Sequence, residues 1–290
     1  MKKSSSHSLL VIALVTGFTG FAGGAKADIV NNLSTDVPTV DQSHLINFYS
    51  FNGNANDSIN GNHFSSLNSN FSLSNGSLGI VTTVPEWPPD GYAQTQDVIN
   101  IIGNHDRTLS FWYQASYQSD EYINSSDLNA AVTVGFGQNS SYQSALYEAD
   151  VSNGSFYFHG YGNDYTASIP AAQDGWNMIT LTYSSSSDAS TLYMNGVLVD
   201  NRATVPSLNT ALGPLYIAGI AGSSVGDLGI WNSALSADQV SSIYNSEAVP
   251  EPSILALFGM GAIGMLITMR RKRGLTEMNH RGRILAAKST

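Results

Sequence analysis

Apolar and polar positions alternate in a series of short runs through the middle two hundred residues of the chain. In residues 107–115 the apolar side chains of Leu109, Phe111 and Tyr113 occupy every second position, so they share one face of an extended strand. Comparable β-rich runs occupy residues 131–136, 155–159, 215–219 and 226–231. Clusters of Gly, Asn and Ser separate these runs, and the pattern predicts an all-β, antiparallel β-sandwich.

Three segments carry a stronger local signal. Residues 176–183 have apolar side chains at both odd and even positions, which predicts a strand that is covered on both faces. Asn195 and Gly196 stand between two apolar runs. Both residue types tolerate the positive φ of a type I′ turn, so they predict a β-hairpin over residues 191–200.

One helix is predicted, over residues 236–244. Ser236 and Gln239 have the spacing of a capping box, in which each side chain bonds the other residue's backbone N–H. Val240 and Ile243 follow at helical spacing and share one apolar face, so the helix should pack against the sandwich.

The N-terminal end has the three parts of a secretory signal, residues 1–27. Two lysines begin it, and residues 9–15 form a short apolar segment. Ala25 and Ala27 are small residues at the two positions that a signal peptidase reads, so cleavage is predicted before Asp28. The alternative is a membrane anchor, for which the apolar run is short.

The C-terminal end also has three parts. Pro250, Glu251 and Pro252 come first, and residues 254–269 follow as an uncharged, mostly apolar stretch at the lower limit for a transmembrane helix. Residues 270–273 are all Arg or Lys and should stay on the cytoplasmic side.

In this order, the motif, the apolar span and the basic stop resemble the PEP-CTERM sorting tail, here residues 249–273. The resemblance implies recognition by an exosortase-type membrane enzyme, transient anchoring in the inner membrane, cleavage near the motif, and release to the cell surface or extracellular matrix. The chain departs from the family pattern in residues 274–290, a short basic cytoplasmic extension beyond the stop. A simple single-pass anchor therefore stays open as the alternative.

The order of features in the body resembles the laminin-G-like, concanavalin A-like jelly-roll family. The residues that carry this resemblance are an opening loop at 48–58 and 61–63, a middle strand at 109–112, a hairpin at 176–200 and a closing signature at 227–240. The expected organisation is a lead-in segment at 28–43 and one jelly-roll domain at 44–248. The resemblance implies the fold and says little about the ligand.

The body is strongly acidic, which limits its partners. Between Asp28 and Val249 there are twenty acidic residues but only two basic ones, Arg107 and Arg202, a net charge of about −18. Such a surface repels a phosphate backbone, so nucleic acid is excluded as a partner. The chain has no cysteine, which also excludes disulfides, thiolate catalysis and cysteine-bound zinc.

A structural calcium ion is one candidate ligand. Asn52, Asp57, Asn62 and Asp227 are hard oxygen donors of the kind that Ca²⁺ prefers. No loop has EF-hand spacing; the family resemblance implies a calcium between the opening loop and the closing strand, which would bring Asp57 and Asp227 together. The alternative is that the Asx side chains close turns by bonding their own backbone.

Carbohydrate binding is the second candidate, since sugar sites combine aromatic faces with hydrogen-bonding Asn, Asp and Gln. Trp87 lies in the proline-rich segment 85–89, where it would form an exposed stacking platform. Tyr161 and Tyr165 belong to segments rich in Asn and Gly. The other three tryptophans fall within strand patterns and are expected in the core.

Catalysis is not expected. Glycosidases need two carboxylates across the scissile bond, and the Glu-x-Asp-x-x-Glu motif of glucanases with this sandwich is absent. The glutamates of the body are scattered, and Glu86, Glu121, Glu148 and Glu247 are interpreted as solvated surface charges. Asp106 follows His105 directly, but a turn role before a strand is favoured.

The sequence therefore predicts an exported, non-catalytic binding or matrix protein, which recognises extracellular polysaccharide or is embedded in it. The alternatives are a polysaccharide-degrading enzyme on a glucanase-like sandwich and a purely structural surface protein without a discrete ligand.

Overall fold

The structure is a computed structural model. It describes residues 30–33, 37–65, 67–74, 76–84, 91–116, 131–138, 144–150, 154–160, 164–170, 175–202 and 208–250. Within these ranges no helix is both long and apolar enough to cross a membrane. The predicted signal segment and the predicted span at 254–269 lie outside the described residues.

The described residues form sixteen strands and one helix. The first eight strands are β1 (Val30–Leu33), β2 (Leu45–Tyr49), β3 (Phe71–Ser74), β4 (Ser77–Ile80), β5 (Ala93–Ile99), β6 (Arg107–Gln114), β7 (Val132–Gly137) and β8 (Ser144–Asp150). The remaining elements are β9 (Ser155–His159), β10 (Tyr165–Ser168), β11 (Asn177–Ser184), β12 (Ala189–Met194), β13 (Val197–Arg202), β14 (Gly213–Gly219), β15 (Ser224–Trp231), α1 (Ala237–Glu247) and β16 (Ala248–Pro250).

These strands make two large antiparallel sheets and one small one. The first large sheet has the order β10-β9-β8-β7-β14-β5. The second has the order β13-β12-β11-β6-β15-β4-β3, with β2 also paired to β15. The third contains only β1 and β16. The predicted all-β antiparallel sandwich is confirmed.

The main core contains side chains from both large sheets. On β6, Leu109, Phe111 and Tyr113 are fully buried and belong to this cluster, as their alternation predicted. Val134 on β7 and Ile217 on β14, from the other sheet, belong to the same cluster. Burial of apolar surface at about 25 cal/mol per Å² drives the two sheets together.

A second core contains side chains of α1 and the opposite face of β6 and β11. Trp112, Trp176 and Trp231 are buried here, which confirms their expected place in the core. Val240 and Ile243 on α1 belong to the same cluster. The prediction that the 176–183 strand is covered on both faces is therefore confirmed as well.

The helix starts as predicted and ends later than predicted. The Ser236 hydroxyl accepts from the Gln239 N–H, and the Gln239 side chain accepts from the Ser236 N–H, so the capping box is complete. The helix continues three residues beyond the predicted end at 244. The added turn places Glu247 on the same buried face as Ile243, four residues earlier.

The prediction that Glu247 is a solvated surface charge is wrong. Its side chain is 2% exposed, and its Oε2 accepts a hydrogen bond from Trp112 Nε1 at 2.7 Å. Burial raises the pKa of Glu247 to about 8, and the hydrogen bond from Trp112 partly offsets this rise. A carboxyl group with this pKa is largely protonated at neutral pH.

The predicted hairpin is also present. Asn195 and Gly196 have φ values of 52° and 75°, as a type I′ turn requires, and they join β12 to β13. The Asn195 side chain accepts a hydrogen bond from the Met178 N–H at 2.8 Å, which attaches the turn to β11.

Candidate functional site

Asp57, a predicted calcium ligand, lies at the centre of the opening loop with both carboxylate oxygens engaged. Oδ1 accepts from the N–H groups of Phe48 and Ile59, each at 3.0 Å. Oδ2 accepts from Asn47 Nδ2 at 2.8 Å and from the N–H groups of Asn60 and Asn62 at 3.1 and 3.2 Å. Together these hydrogen bonds close the loop around the carboxylate.

The other predicted ligands have different surroundings. The Asn62 side chain bonds the backbone of Asp97 twice, with its Oδ1 accepting at 2.9 Å and its Nδ2 donating at 3.0 Å. Asn52 is exposed. Asp227 is 1% exposed and lies at an irregular position of β15, with a φ of 33°.

The loop geometry does not fit a calcium shell built on Asp57 and Asn62. Five N–H groups point at the Asp57 carboxylate, and their positive ends occupy the positions that a cation would take. Among the described residues, no three His, Asp or Glu side chains are grouped closely enough to hold a metal ion. The turn-closing alternative describes Asp57 better, and calcium binding stays a prediction.

The predicted sugar-stacking residues cannot be located in the same way. Trp87 and Tyr161 lie outside the described residues, and of Tyr165 only the backbone, at the start of β10, is described. Their role stays a prediction.

The structure shows a different candidate, an open polar cleft of about 530 Å³ at one end of the sandwich, here called the end cleft. Three connections contribute to it: the segment between β5 and β6, the turn between β11 and β12, and the segment between β15 and α1. Its lining residues are Asn100, Ile101, Ile102, His105, Asp106, Ser185 and Asn232.

Arg107 holds the segment between β5 and β6 in place. Its side chain is 1% exposed, and its guanidinium donates to the backbone oxygens of Gly103 and His105 at 2.8 and 3.0 Å. It also donates to Thr210 Oγ1 at 2.5 Å and lies 5.6 Å from the centre of the Tyr183 ring. The guanidinium is therefore engaged in hydrogen bonds that hold the segment between β5 and β6.

A second set of hydrogen bonds joins the first segment to the β11–β12 turn. The Tyr183 hydroxyl bonds Asn104 and Asp188, and Asn104 Nδ2 donates to Asp188 Oδ1 at 3.2 Å. Burial, followed by the hydrogen bond to Asp188, raises the pKa of Tyr183 to about 12. The phenol therefore stays protonated at physiological pH and keeps its hydrogen bonds to the β5–β6 segment and the β11–β12 turn.

Asp106 joins the β5–β6 segment to the β11–β12 turn. Its Oδ1 accepts from the N–H and the hydroxyl of Ser185 at 2.7 and 2.6 Å, which is the turn role that its position predicted. Within the described part of the chain, its Oδ2 and the side chains of Asn100, His105 and Asn232 make no hydrogen bond. These groups are available to a ligand.

The end cleft therefore combines fixed walls with available donors and acceptors. Two amides, an imidazole and one carboxylate oxygen can bond hydroxyl groups, and Ile102, which is 46% exposed, offers an apolar contact. Our sequence analysis did not single out Asn100, which belongs to no motif, or Asn232, which it used only as part of the closing signature at 227–240. The one local signal was that Asn232 directly follows the predicted strand at 226–231, whereas Asn100 follows β5, which no pattern predicted.

Comparison with known families agrees with this architecture. Residues 89–241, more than half of the chain, match the model described as the concanavalin A-like lectin/glucanases superfamily. The chain belongs to this superfamily. Residues 248–273 match the PEP-CTERM protein-sorting motif, which implies export, membrane-anchored sorting and processing by an exosortase.

Solved structures resemble this superfamily member in fold alone. The botulinum neurotoxin serotype G binding domain has a TM-score of 0.53 at 14% identity, over 69% of this chain and 50% of that one. The botulinum neurotoxin serotype D binding domain has a TM-score of 0.52 at 15% identity, over 70% of this chain and 50% of that one. The binding domain of Paraclostridial Mosquitocidal Protein 1 has a TM-score of 0.52 at 15% identity, over 70% of this chain and 52% of that one. The chain thus spans about half of their length. The comparison with curated protein sequences gave no significant match.

Proposed function

We propose that this protein is an exported, exosortase-sorted, non-catalytic module that binds a neutral extracellular polysaccharide in its end cleft. The observation that carries the proposal is the set of available polar groups of Asn100, His105, Asp106 and Asn232 on segments that the partly buried hydrogen bonds of Arg107 and Tyr183 hold in place. Fixed walls favour binding because little side-chain and loop entropy is lost when the ligand enters.

The charge of the body supports a neutral ligand. A net charge of about −18 between Asp28 and Val249 repels anionic polymers such as uronic-acid glycans. The guanidinium nearest the end cleft, that of Arg107, is buried and bonded to the loop, so it offers no counter-charge to a carboxylate or sulfate. Sugar hydroxyls need only the amide, imidazole and carboxylate groups that are present.

The lining also supports binding without hydrolysis. Glycosidases place two carboxyl groups on either side of the bond that they cleave. Among the described lining residues Asp106 is the one carboxylate, and half of it is committed to Ser185. The cell surface or the extracellular matrix is the proposed destination, because the sorting tail serves export and a polysaccharide ligand lies outside the cell.

The proposal predicts that the double substitution Asn100→Ala and Asn232→Ala weakens polysaccharide binding about tenfold or more. Each lost hydrogen bond removes on the order of 1 kcal/mol. The measurement is binding of the full-length protein, in detergent, to the immobilised neutral fraction of the host's own exopolysaccharide. The matched control replaces Asn201 and Asn245, two exposed asparagines on β13 and α1, by alanine and should bind normally.

Other outcomes of this assay favour other functions. Equal affinities for wild type and the end-cleft variant would move the site elsewhere, and stronger binding to the anionic fraction would contradict a neutral ligand. Release of reducing ends would favour the degradative enzyme, and the absence of saturable binding would favour a structural matrix protein.

The predicted stacking residues are tested in the same assay. If Trp87, Tyr161 or Tyr165 supplies an aromatic face for the sugar, substitution by alanine should reduce the affinity by a factor of several, because aromatic contacts add on the order of 1 kcal/mol. An unchanged affinity for all three variants would remove them from the site.

A further inference from the structure

The small third sheet joins the two ends of the exported body. β1 begins two residues after the predicted signal cleavage site, and β16 ends at Pro250, the first residue of the Pro-Glu-Pro signature of the sorting motif. The two strands are antiparallel, with Val30 opposite Pro250, Asn32 opposite Val249 and Leu33 opposite Ala248. Strand pairing thus brings the new N-terminus of the exported chain to the place where the tail begins.

The start of β16 is fixed to the body. Ala248 caps α1 with φ −67° and ψ 114°, and its N–H donates to the Tyr244 carbonyl, so the chain passes from helix to strand without a loop. Glu247, the last residue of α1, is buried against Trp112, and the Tyr244 ring stacks on the same indole at 5.4 Å. The segment before the motif therefore leaves the body at a defined point.

We propose that β1 is a built-in partner strand that holds the residues leading into the Pro-Glu-Pro signature extended for the processing enzyme. A strand of three residues has no stability alone, so its extended form depends on a partner. Enzymes and receptors that bind peptides as extended chains gain affinity when the chain is already extended, because less conformational entropy is lost. Since the sheet has two strands, one edge of β16 remains without a strand partner in the described part of the chain.

The role of β1 is to position the substrate for processing. β1 and β16 are more than two hundred residues apart, so their pairing requires that the intervening sandwich has been exported and has folded. Tail removal then follows folding of the body, and a chain whose body is unfolded presents a poorer substrate.

The experiment compares tail processing in the native host by pulse-chase and immunoblotting. A variant with Asn32→Pro and Leu33→Pro cannot donate strand hydrogen bonds at these positions, and processing should slow at least threefold. The matched control, Asn32→Thr and Leu33→Val, changes the same side chains but keeps residues that favour strands, and it should be processed at the wild-type rate. Melting temperatures of all variants report whether the body has folded.

The outcomes separate this proposal from the sorting assignment itself. Replacing Pro250, Glu251 and Pro252 by alanine should leave full-length protein in the membrane; normal release of that variant would overturn the sorting assignment. Wild-type or faster processing of the double-proline variant would overturn the role of β1, as would equal slowing in the threonine–valine control. If the double-proline protein does not fold, the single Asn32→Pro variant takes its place under the same criteria.

Discussion

Replacing Glu247 by glutamine will stabilise the protein at alkaline pH and change its stability little at pH 4. The carboxyl group is 2% exposed, and burial raises its pKa to about 8. Glutamine resembles the protonated acid in shape and keeps an oxygen that can accept from Trp112 Nε1. It removes only the charge, which is the part that burial disfavours.

The direction of the pH dependence follows from the two pKa values. Because the pKa is higher in the folded chain than its ordinary value of 4.5, the folded state holds the proton more tightly. The stabilisation by this group is complete below pH 4.5, decreases as the pH rises, and is lost above about pH 8. A shift of this size corresponds to a loss of about 3–5 kcal/mol across this interval, which the glutamine variant should not show.

The measurement is thermal unfolding of the full-length protein in detergent at pH 4, 6 and 9. For a chain of this size, the glutamine variant should melt of the order of 10 °C above wild type at pH 9, and the difference should shrink toward zero at pH 4. The control is Asp238→Asn, an exposed carboxylate in the first turn of the same helix, and it should show no such divergence. A constant difference between Glu247→Gln and wild type at all three pH values would contradict a buried, protonated acid.

Local sequence signals predicted those elements whose geometry depends on neighbouring residues. The capping box of Ser236 and Gln239 and the turn at Asn195 and Gly196 are present because their hydrogen bonds and φ angles involve residues at most a few positions apart. Strong alternation likewise identified β6, since three apolar side chains define its inner face.

The elements that the sequence pattern missed depend on distant partners. β5 contains the exposed Gln94, Gln96 and Asp97, and it is a strand because β14, more than a hundred residues later, pairs with it. β3 and β4 lie in a serine-rich segment, and β4 pairs with β15. No local pattern specifies such pairings.

The same distinction applies to the sites. The composition of the opening loop identified Asp57 as a residue with a special role, but the direction of its carboxylate depends on where five N–H groups lie. Glu247 was misassigned because its partner, Trp112, is 135 residues away. The end cleft combines three segments that become neighbours only after β6 pairs with both β11 and β15.

Substitution of Asp57 by alanine should destabilise the protein by about 3–5 kcal/mol. The carboxylate accepts five hydrogen bonds, four of them from backbone N–H groups, and the side chain is 5% exposed. A buried donor that loses its acceptor costs about 1–3 kcal/mol, and partial entry of water keeps the total below the sum of the five. The loop that follows β2 would lose the carboxylate that its backbone N–H groups bond.

The variant Asp57→Asn separates this role from calcium binding. Asparagine keeps one acceptor oxygen, but its amide nitrogen replaces Oδ2, which accepts from Asn47, Asn60 and Asn62. Donors would then face donors, so we expect this variant to lose nearly as much stability as the alanine variant. Thermal unfolding measures both, with Asn52→Ala in the exposed part of the same loop as the control. A mild effect of Asp57→Asn would contradict the role of its five hydrogen bonds in closing the loop. EDTA tests the calcium prediction separately: a melting temperature that falls and that only Ca²⁺ restores would establish the calcium site, and an unchanged melting temperature would contradict it.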